Sequence, residues 1–527
     1  MKIILKILNR IKITIHSCKV FYYKMNSINI YKRLLDKNIN KNGQILIEGF
    51  WDNPHHWLRS IMIRNAIAYK YGSDLIGLYN HQTKFSTFVL LRSLVKNNLV
   101  KISFQPNKKE YFIKKAKNYL NSSKTLKNFI KLKLDYDYPA FYFYDGFLKK
   151  YDLGTFEINH PQLIKELAEC LESLSFYNDL LNEKKINAVI VSHLITIKFS
   201  VLCWMMLHKK IPVFYTFYSN KNMTIQKITK ISDMLKPSFD FPTCEEIKNL
   251  DEKKKIHFLK KGENYLRDKK KSGEISIFNA YKNMNSKYKN KQDFLKLNNF
   301  EVDKPLVVIL GPCLPDFPNF YGTNWFIDYV EWIKFTLDIV KNVKNINWTL
   351  KPHPAEIGLG MARLKNIFKE KNLPQNVKYW PEDASSTEAF EFSDLVITAR
   401  GSSTILYGVE GKKVMSATNS IYSQFKMGIN INSAEEYKKK LLGMTDLLKE
   451  KFEYKDIELA KIFVGIHFTE ENKDLNFPYG FYSQKLYKNI NHFINTNLIK
   501  IREEINLIRL WENTDHDRYN TYKKIIN

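Results

Sequence analysis

From Gly43 onward the chain alternates short apolar runs with longer stretches in which apolar residues return every three or four positions. Gln44 to Glu48 reads as a strand. A Gly-Phe-Trp-Asp-Asn-Pro loop follows, then a helix from about His55 to Tyr71 and a second strand from Asp74 to Tyr79. This is the opening unit of a parallel sheet. The β-branched run Ile186 to Ser192, the helical stretch Ile197 to His208 and the strand Ile211 to Tyr215 repeat the alternation at the end of the first half. A second alternating half begins with the strand Leu306 to Leu310, continues with a helix from Phe326 to Lys341 and returns as Asn347 to Leu350. Further strands fall at Leu395 to Thr398 and Lys413 to Ser416. Between about Thr216 and Lys304 the apolar period weakens and lysine runs take over, at Lys253 to Lys255 and Lys269 to Lys271, which predicts a helical connector.

The predicted fold class is therefore α/β, with two Rossmann-like, doubly wound domains facing each other across a cleft. A chain of 527 residues is also too long for one compact core, since cores stop growing at about 250–300 residues. The expected divisions are a basic amphipathic segment over 1–40, an acceptor domain over 41–220, a lysine-rich helical connector over 221–304, a donor domain over 305–465 and C-terminal helices over 466–527. Doubly wound domains bind ligands at the carboxyl ends of their strands, so two of them face to face would set donor and acceptor on opposite walls.

Composition narrows the class. With 44% hydrophobic and 26% charged residues the chain is globular. No stretch approaches the ~20 apolar residues needed to span a bilayer. A net charge of +29 calls for an anionic partner. Much of the excess is lysine scattered beside Asn and Ile, as at Lys114, Lys115 and Lys117, which a general lysine bias explains equally well, and no nucleic-acid module is present. Nucleic acid is not an expected partner. The five cysteines, Cys18, Cys170, Cys203, Cys244 and Cys313, are odd in number and widely spaced, which fits reduced cytosolic thiols rather than disulfides or a zinc site. Before residue 25, Lys2, Lys6, Arg10, Lys12 and Lys19 interrupt the Ile and Leu residues, and no small-residue cleavage site follows. The segment reads either as an interfacial helix at the inner face of the cytoplasmic membrane or as an ordinary surface helix.

Two segments carry phosphate chemistry. In Trp348-Thr349-Leu350-Lys351-Pro352-His353-Pro354 a strand runs into a proline-locked turn that holds His353 at the mouth of the sheet, with Lys351 adding a charge. In Ser393 to Thr404 a strand runs into Arg400-Gly401-Ser402-Ser403-Thr404, where amides and hydroxyls at a helix start make a neutral cradle and Arg400 offers a bidentate charge. Taken alone the second segment is equally a plain N-cap. Both lie at strand ends of one domain, as a nucleotide site requires, and no Walker-type GxxxxGK[ST] occurs.

The run from Phe326 to Pro354, with Asp328-Tyr329-x-Glu331-Trp332, Thr336, Asn347-Trp348 and Lys-Pro-His-Pro, resembles bacterial capsule and surface-carbohydrate biosynthesis proteins. So does Thr398-x-Arg400-Gly401-Ser402 with Gly411-Lys412-Lys413-Val414 and Tyr422-Ser423. These include the Kdo (3-deoxy-manno-octulosonate) transferases and, more distantly, the CMP-sialic acid transferases. The resemblance spans about Leu306 to Gly428 and is patchy in the first half. It implies a GT-B glycosyltransferase that needs no metal or other cofactor, with His353 and the Ser402/Ser403 turn holding the donor phosphate. Where relatives often carry Glu, this chain has Leu406.

An inverting transfer also needs a base. Asp145, in Phe143-Tyr144-Asp145-Gly146-Phe147-Leu148-Lys149, is similar to the Tyr-Asp-x-x-Leu-Arg element of these proteins, although Asp-Gly is equally a turn dipeptide. Asp52, in the loop that also holds Trp51 and His55, is the rival base, with Trp51 offering an aromatic face to a sugar. His193 and Asp316, each at a strand end, are further cleft candidates. The expected reaction moves a sugar, Kdo or a related acidic one, from a CMP-linked donor to a capsule- or lipopolysaccharide-type acceptor, polymeric or lipid-linked. A CDP-glycerol-type glycerophosphotransferase and a non-catalytic polysaccharide assembly or export factor are the alternatives.

Overall fold

Two six-stranded sheets organise the chain. They belong to a computed structural model that describes residues 22–23, 25–35, 43–51, 53–95, 98–103, 106–216, 223–234, 242–272, 288–321, 325–353, 356, 362–452, 456–469 and 484–519. The first sheet comprises β1 (Gln44–Glu48), β2 (Asp74–Tyr79), β3 (Leu99–Lys101), β4 (Ile186–Val191), β5 (Val213–Tyr215) and β6 (Gln226–Ile228), in the order β3-β2-β1-β4-β5-β6. The second comprises β7 (Leu306–Leu310), β8 (Asn347–Lys351), β9 (Val377–Tyr379), β10 (Leu395–Thr398), β11 (Val414–Ser416) and β12 (Ile429–Asn430), in the order β12-β11-β10-β7-β8-β9. Every pairing is parallel except β5 with β6. Each sheet thus repeats the doubly wound order 3-2-1-4-5-6, and the chain has the two-Rossmann architecture called GT-B.

The strands form where the sequence is apolar without alternation. β4 (INAVIV) and β7 (LVVIL) are buried almost throughout because helices cover both faces of a parallel sheet. In the first domain the helices Pro54–Tyr71 and Ile197–His208 lie on opposite faces, in separate apolar clusters. In the second, Tyr329–Val340 covers β7 and β8, with Trp332 and Trp348 fully buried.

The rest of the chain is divided differently from the expected boundaries. β6 lies within the expected connector yet adds an antiparallel edge to the first sheet. The lysine-rich helix Glu252–Ser272 packs on Ile457–His467 of the second domain, and the two cross at glycines. A Cβ at Gly262 would stand 2.0 Å from the Lys461 carbonyl oxygen, and one at Gly465 would stand 2.0 Å from that of Phe258. Only hydrogen side chains allow that approach. The C-terminal helices Gln484–Thr496 and Leu498–Glu512 return to the first domain, where Ile490, Phe493, Ile501, Ile508 and Trp511 pack with Trp57, Leu58 and Ile61. Burial of each such side chain contributes about 1.5–3 kcal/mol, which is ample to fix the return. Of the expected N-terminal segment, residues 25–34 are helical and join the same cluster through Ile30, Tyr31 and Leu34, while residues before 22 lie outside the described set. Among the described residues no helix is long and apolar enough to cross a membrane.

Candidate active site at the domain junction

In the first sheet the strand order reverses between β1 and β4, and the carboxyl ends of these neighbours carry a buried polar group. Glu48 closes β1 and is fully buried. Its Oε1 accepts from the Ser192 hydroxyl at 2.6 Å and lies 3.0 Å from His56 Nε2, while its Oε2 accepts from the Phe50 amide at 2.7 Å. Burial pushes this carboxyl up, but the charge and hydrogen bond of His56, with the Ser192 and Phe50 donors, outweigh it and hold Glu48 below its ordinary value. Ser192 Oγ stands 2.9 Å from His193 Nδ1. Since the one hydroxyl proton goes to Glu48, Ser192 accepts from Nδ1–H, and the basic lone pair of His193 resides on Nε2.

His193 is enclosed by rings, Trp51 edge-on at 4.8 Å and Phe199 at 4.9 Å between centroids. Burial pushes it down to about 4, against the pull of Glu48, so its imidazole is neutral at physiological pH. Lys198 Nζ lies 5.6 Å and 5.4 Å from the Phe50 and Phe199 ring centroids and is likewise lowered by burial. His55 is buried at 2% exposure, and its amide is capped by Asn53 Oδ1 at 2.8 Å. Asp52 lies outside the described residues.

The helix Ala140–Tyr151 connects this cluster to the second domain. Gly146 faces the chain leaving β4, where a Cβ would meet Ile197 N at 2.8 Å. From the same helix Tyr144 donates to Asp328 at 2.6 Å, Lys149 pairs with Asp316 at 3.2 Å, and Asp145 meets the short helix Pro318–Tyr321. Asp145 Oδ1 accepts from Asn319 N at 3.2 Å and Nδ2 at 2.9 Å, and Oδ2 accepts from Phe320 N at 2.7 Å. Asp145 is 1% exposed, and burial pushes it up to about 7 despite these donors. The structure therefore gives Asp145 a different role from the base expected of it. Both oxygens are taken, no solvent reaches them, and the carboxyl latches one domain to the other.

In the second sheet the order reverses between β7 and β10, and three chain segments gather there. Gly311-Pro312-Cys313 leaves β7, Pro352-His353 leaves β8, and residues 399–403 leave β10. His353 Nδ1 is 3.1 Å from Cys313 Sγ. Burial lowers His353, with Asp316 opposing and Lys351 adding to the shift, and burial pushes the Cys313 thiol up to about 12. The thiol keeps its proton. Lys351 is 9% exposed and lies 5.9 Å from the Trp380 ring centroid; burial lowers it to about 8, against the attraction of Glu388. Its ammonium is thus sunk beside Trp380 instead of standing open at the turn.

The turn after β10 is divided in the same way. Gly401 spends its amide on Thr398 Oγ1 at 3.1 Å, and Thr404 is fully buried. Thr404, Ile405 and Leu406 donate their amides to the carbonyls of Gly401 and Ser402. Ser402 precedes the helix Ser403–Gly408 without making a side-chain cap, so the N-cap role considered for it is unfilled. Among the described residues nothing accepts from the Ser402 and Ser403 amides. Arg400 stands near the rings of buried Tyr329 and half-buried Tyr422, on both of which its charge acts.

No protein-family model matches this chain, and no curated protein matches it. Solved structures do. The KpsC beta Kdo 2,4 transferase of Thermosulfurimonas dismutans aligns at 10% identity over 53% of this chain and 79% of its own, with a TM-score of 0.33. A glycosyltransferase from Rickettsia africae aligns at 12% identity over 90% and 100%, with a TM-score of 0.26. The UDP-GlcNAc 2-epimerase of Neisseria meningitidis, solved with UDP-GlcNAc, aligns at 10% identity over 87% and 99%, with a TM-score of 0.23. At such scores these likenesses add nothing to the topology.

The structure brings Trp51 and His193 together on the first domain and sets Asp316 near His353 on the second, where Arg400, Ser402 and Ser403 lie on the turn after the neighbouring strand β10. It also adds Glu48, Ser192, His56 and Cys313. A signal for Glu48 was present: a carboxylate closing an otherwise apolar strand needs a buried partner.

Proposed function

We propose that the chain is a glycosyltransferase that moves an acidic sugar such as Kdo from a CMP-linked donor to a capsule- or lipopolysaccharide-type acceptor on the cytoplasmic side of the inner membrane. The observation that carries this reading is the pair of polar clusters at the two strand-order reversals, in two domains joined through the helix Ala140–Tyr151, which meets Ile197 after β4 and Asn319 and Phe320 after β7. The donor phosphate belongs to the second domain. The Cys313 thiol, kept protonated, donates to His353 Nδ1 and leaves Nε2–H to donate to a phosphate oxygen. The Ser402 and Ser403 amides and the Arg400 charge complete the anion site. These groups supply the countercharge, so the reaction proceeds without a metal ion.

The acceptor belongs beside Trp51. His193 replaces Asp145 as the base. As the acceptor oxygen attacks the anomeric carbon, His193 Nε2 takes its proton, the carbon–oxygen bond to phosphate breaks, and the electron pair leaves on the nucleotide. Ser192 and ionised Glu48 hold the ring in the required tautomer and stabilise the imidazolium that forms. The test is release of CMP from CMP-Kdo with lipid-linked and polysaccharide acceptors, using wild type, His193→Ala and His353→Ala. Acceptor-dependent release that falls by about 10²–10⁴ in His193→Ala supports the assignment. Unchanged kcat in that variant removes His193 as base, and no release from any donor overturns the reading.

A further inference from the structure

A second charged feature lies at the far edge of the first domain. A crevice of about 1400 Å³ opens at the amino end of β2, between the helical residues 25–34 and the helix Leu498–Glu512. It is therefore at the opposite end of the sheet from Glu48 and His193. Lys32, Arg33, Arg64, Arg502 and Arg509 line it, with Asp74 as the single acid among its lining residues. Lys32, Arg33, Arg502 and Arg509 form no ion pair among the described residues. Arg33 donates to Asn495 Oδ1 at 3.3 Å and Arg509 to the Asn65 carbonyl at 3.4 Å, both neutral. Five cations against one acid leave the lining with an excess of positive charge, which calls for an anion from outside.

Apolar exposure on the same helix decides between kinds of anion. Ile499 is 73% exposed and Leu510 62%, and residues 499, 502, 506 and 510 follow one another at helical spacing on the outward face. A soluble polyanion gives bare isoleucine and leucine nothing to enter, whereas a lipid surface takes phosphates into the crevice and the side chains between headgroups. We infer that this face, built from residues 25–34 and the helix Leu498–Glu512, docks the protein on an anionic phospholipid membrane, with the catalytic cleft at the other end of the sheet. The inference stands independently of the reaction proposed.

The full chain is sedimented with vesicles of phosphatidylcholine alone or mixed with phosphatidylglycerol, with and without soluble polyphosphate. Lys32→Glu/Arg502→Glu and Ile499→Ser/Leu510→Ser alter exposed side chains only. Wild type is expected on the mixed vesicles and not on phosphatidylcholine, and the charge-reversed variant is expected to bind at least about tenfold more weakly. The apolar variant is expected to weaken too, with thermal midpoints unchanged in both. Equal vesicle binding by wild type and charge-reversed protein overturns the proposal, as does binding to polyphosphate without binding to vesicles.

Discussion

Removal of the Asp145 carboxyl tests the domain latch. In Asp145→Ala the amides of Asn319 and Phe320 lose their acceptor inside the junction, while Asn319 Nδ2 keeps the Ile327 carbonyl at 2.9 Å. One orphaned buried donor at about 1–3 kcal/mol and one half-buried donor costing less give a loss of roughly 2–4 kcal/mol when the carboxyl is protonated. The native carboxyl is raised from 3.8 to about 7, so between those values the folded state holds a proton that the unfolded chain has released. Stability from this group is present below its unfolded value and is lost as pH rises toward its folded one. Three units at 1.36 kcal/mol each put that loss at about 4 kcal/mol. The penalty of Asp145→Ala should therefore be largest at about pH 4 and below and should shrink by a few kcal/mol toward about pH 8. Urea unfolding of both proteins across that range measures it. A penalty that is constant or grows with pH refutes the raised carboxyl. Unchanged stability with kcat reduced by orders of magnitude restores Asp145 as the base.

Other perturbations separate packing from chemistry. Gly262→Ala or Gly465→Ala forces a methyl into a carbonyl oxygen across the helix crossing, and the unfolding free energy from urea titration should fall by about 1–3 kcal/mol or more. Trp511→Ala empties a fully buried site under the first domain, with an expected loss of about 3–5 kcal/mol by the same measurement. If His193, held at about 4, is the base, kcat/KM should be flat down to about pH 5 and fall below it, whereas a limb near about pH 7 points to a carboxyl like that of Asp145. Ser192→Ala should lower kcat with little change in KM, because the ring keeps its place against Trp51 and loses its link to Glu48.

The strands were legible because a parallel sheet covered on both faces demands continuous apolar runs, and β1, β4, β7, β8 and β10 lie where those runs predict them. The helix Ala140–Tyr151 was not. Asp-Gly is a turn signal, yet Gly146 here sits mid-helix because the chain at Ile197 leaves no room for a side chain. Nor does periodicity name a partner: the apolar stripe of Leu498–Glu512 predicts burial, but its return to the first domain depends on Trp57 and Leu58, more than 400 residues earlier. At the site, a strand end and a proline placed His353 at the rim of its sheet. The burial of Lys351 beside Trp380 and the Glu48–Ser192–His193 chain depend on contacts between segments distant in sequence, which residue spacing does not encode.

The most direct test of a nucleotide site in the second domain is calorimetric titration of the full chain with CMP, CDP, UDP and GDP, repeated with His353→Ala. The account predicts that CMP binds in preference to the others and that its affinity falls at least about tenfold in the variant, as loss of a charge-assisted phosphate contact implies. Binding of none of the four nucleotides, or CMP binding unaffected by His353→Ala, would contradict it.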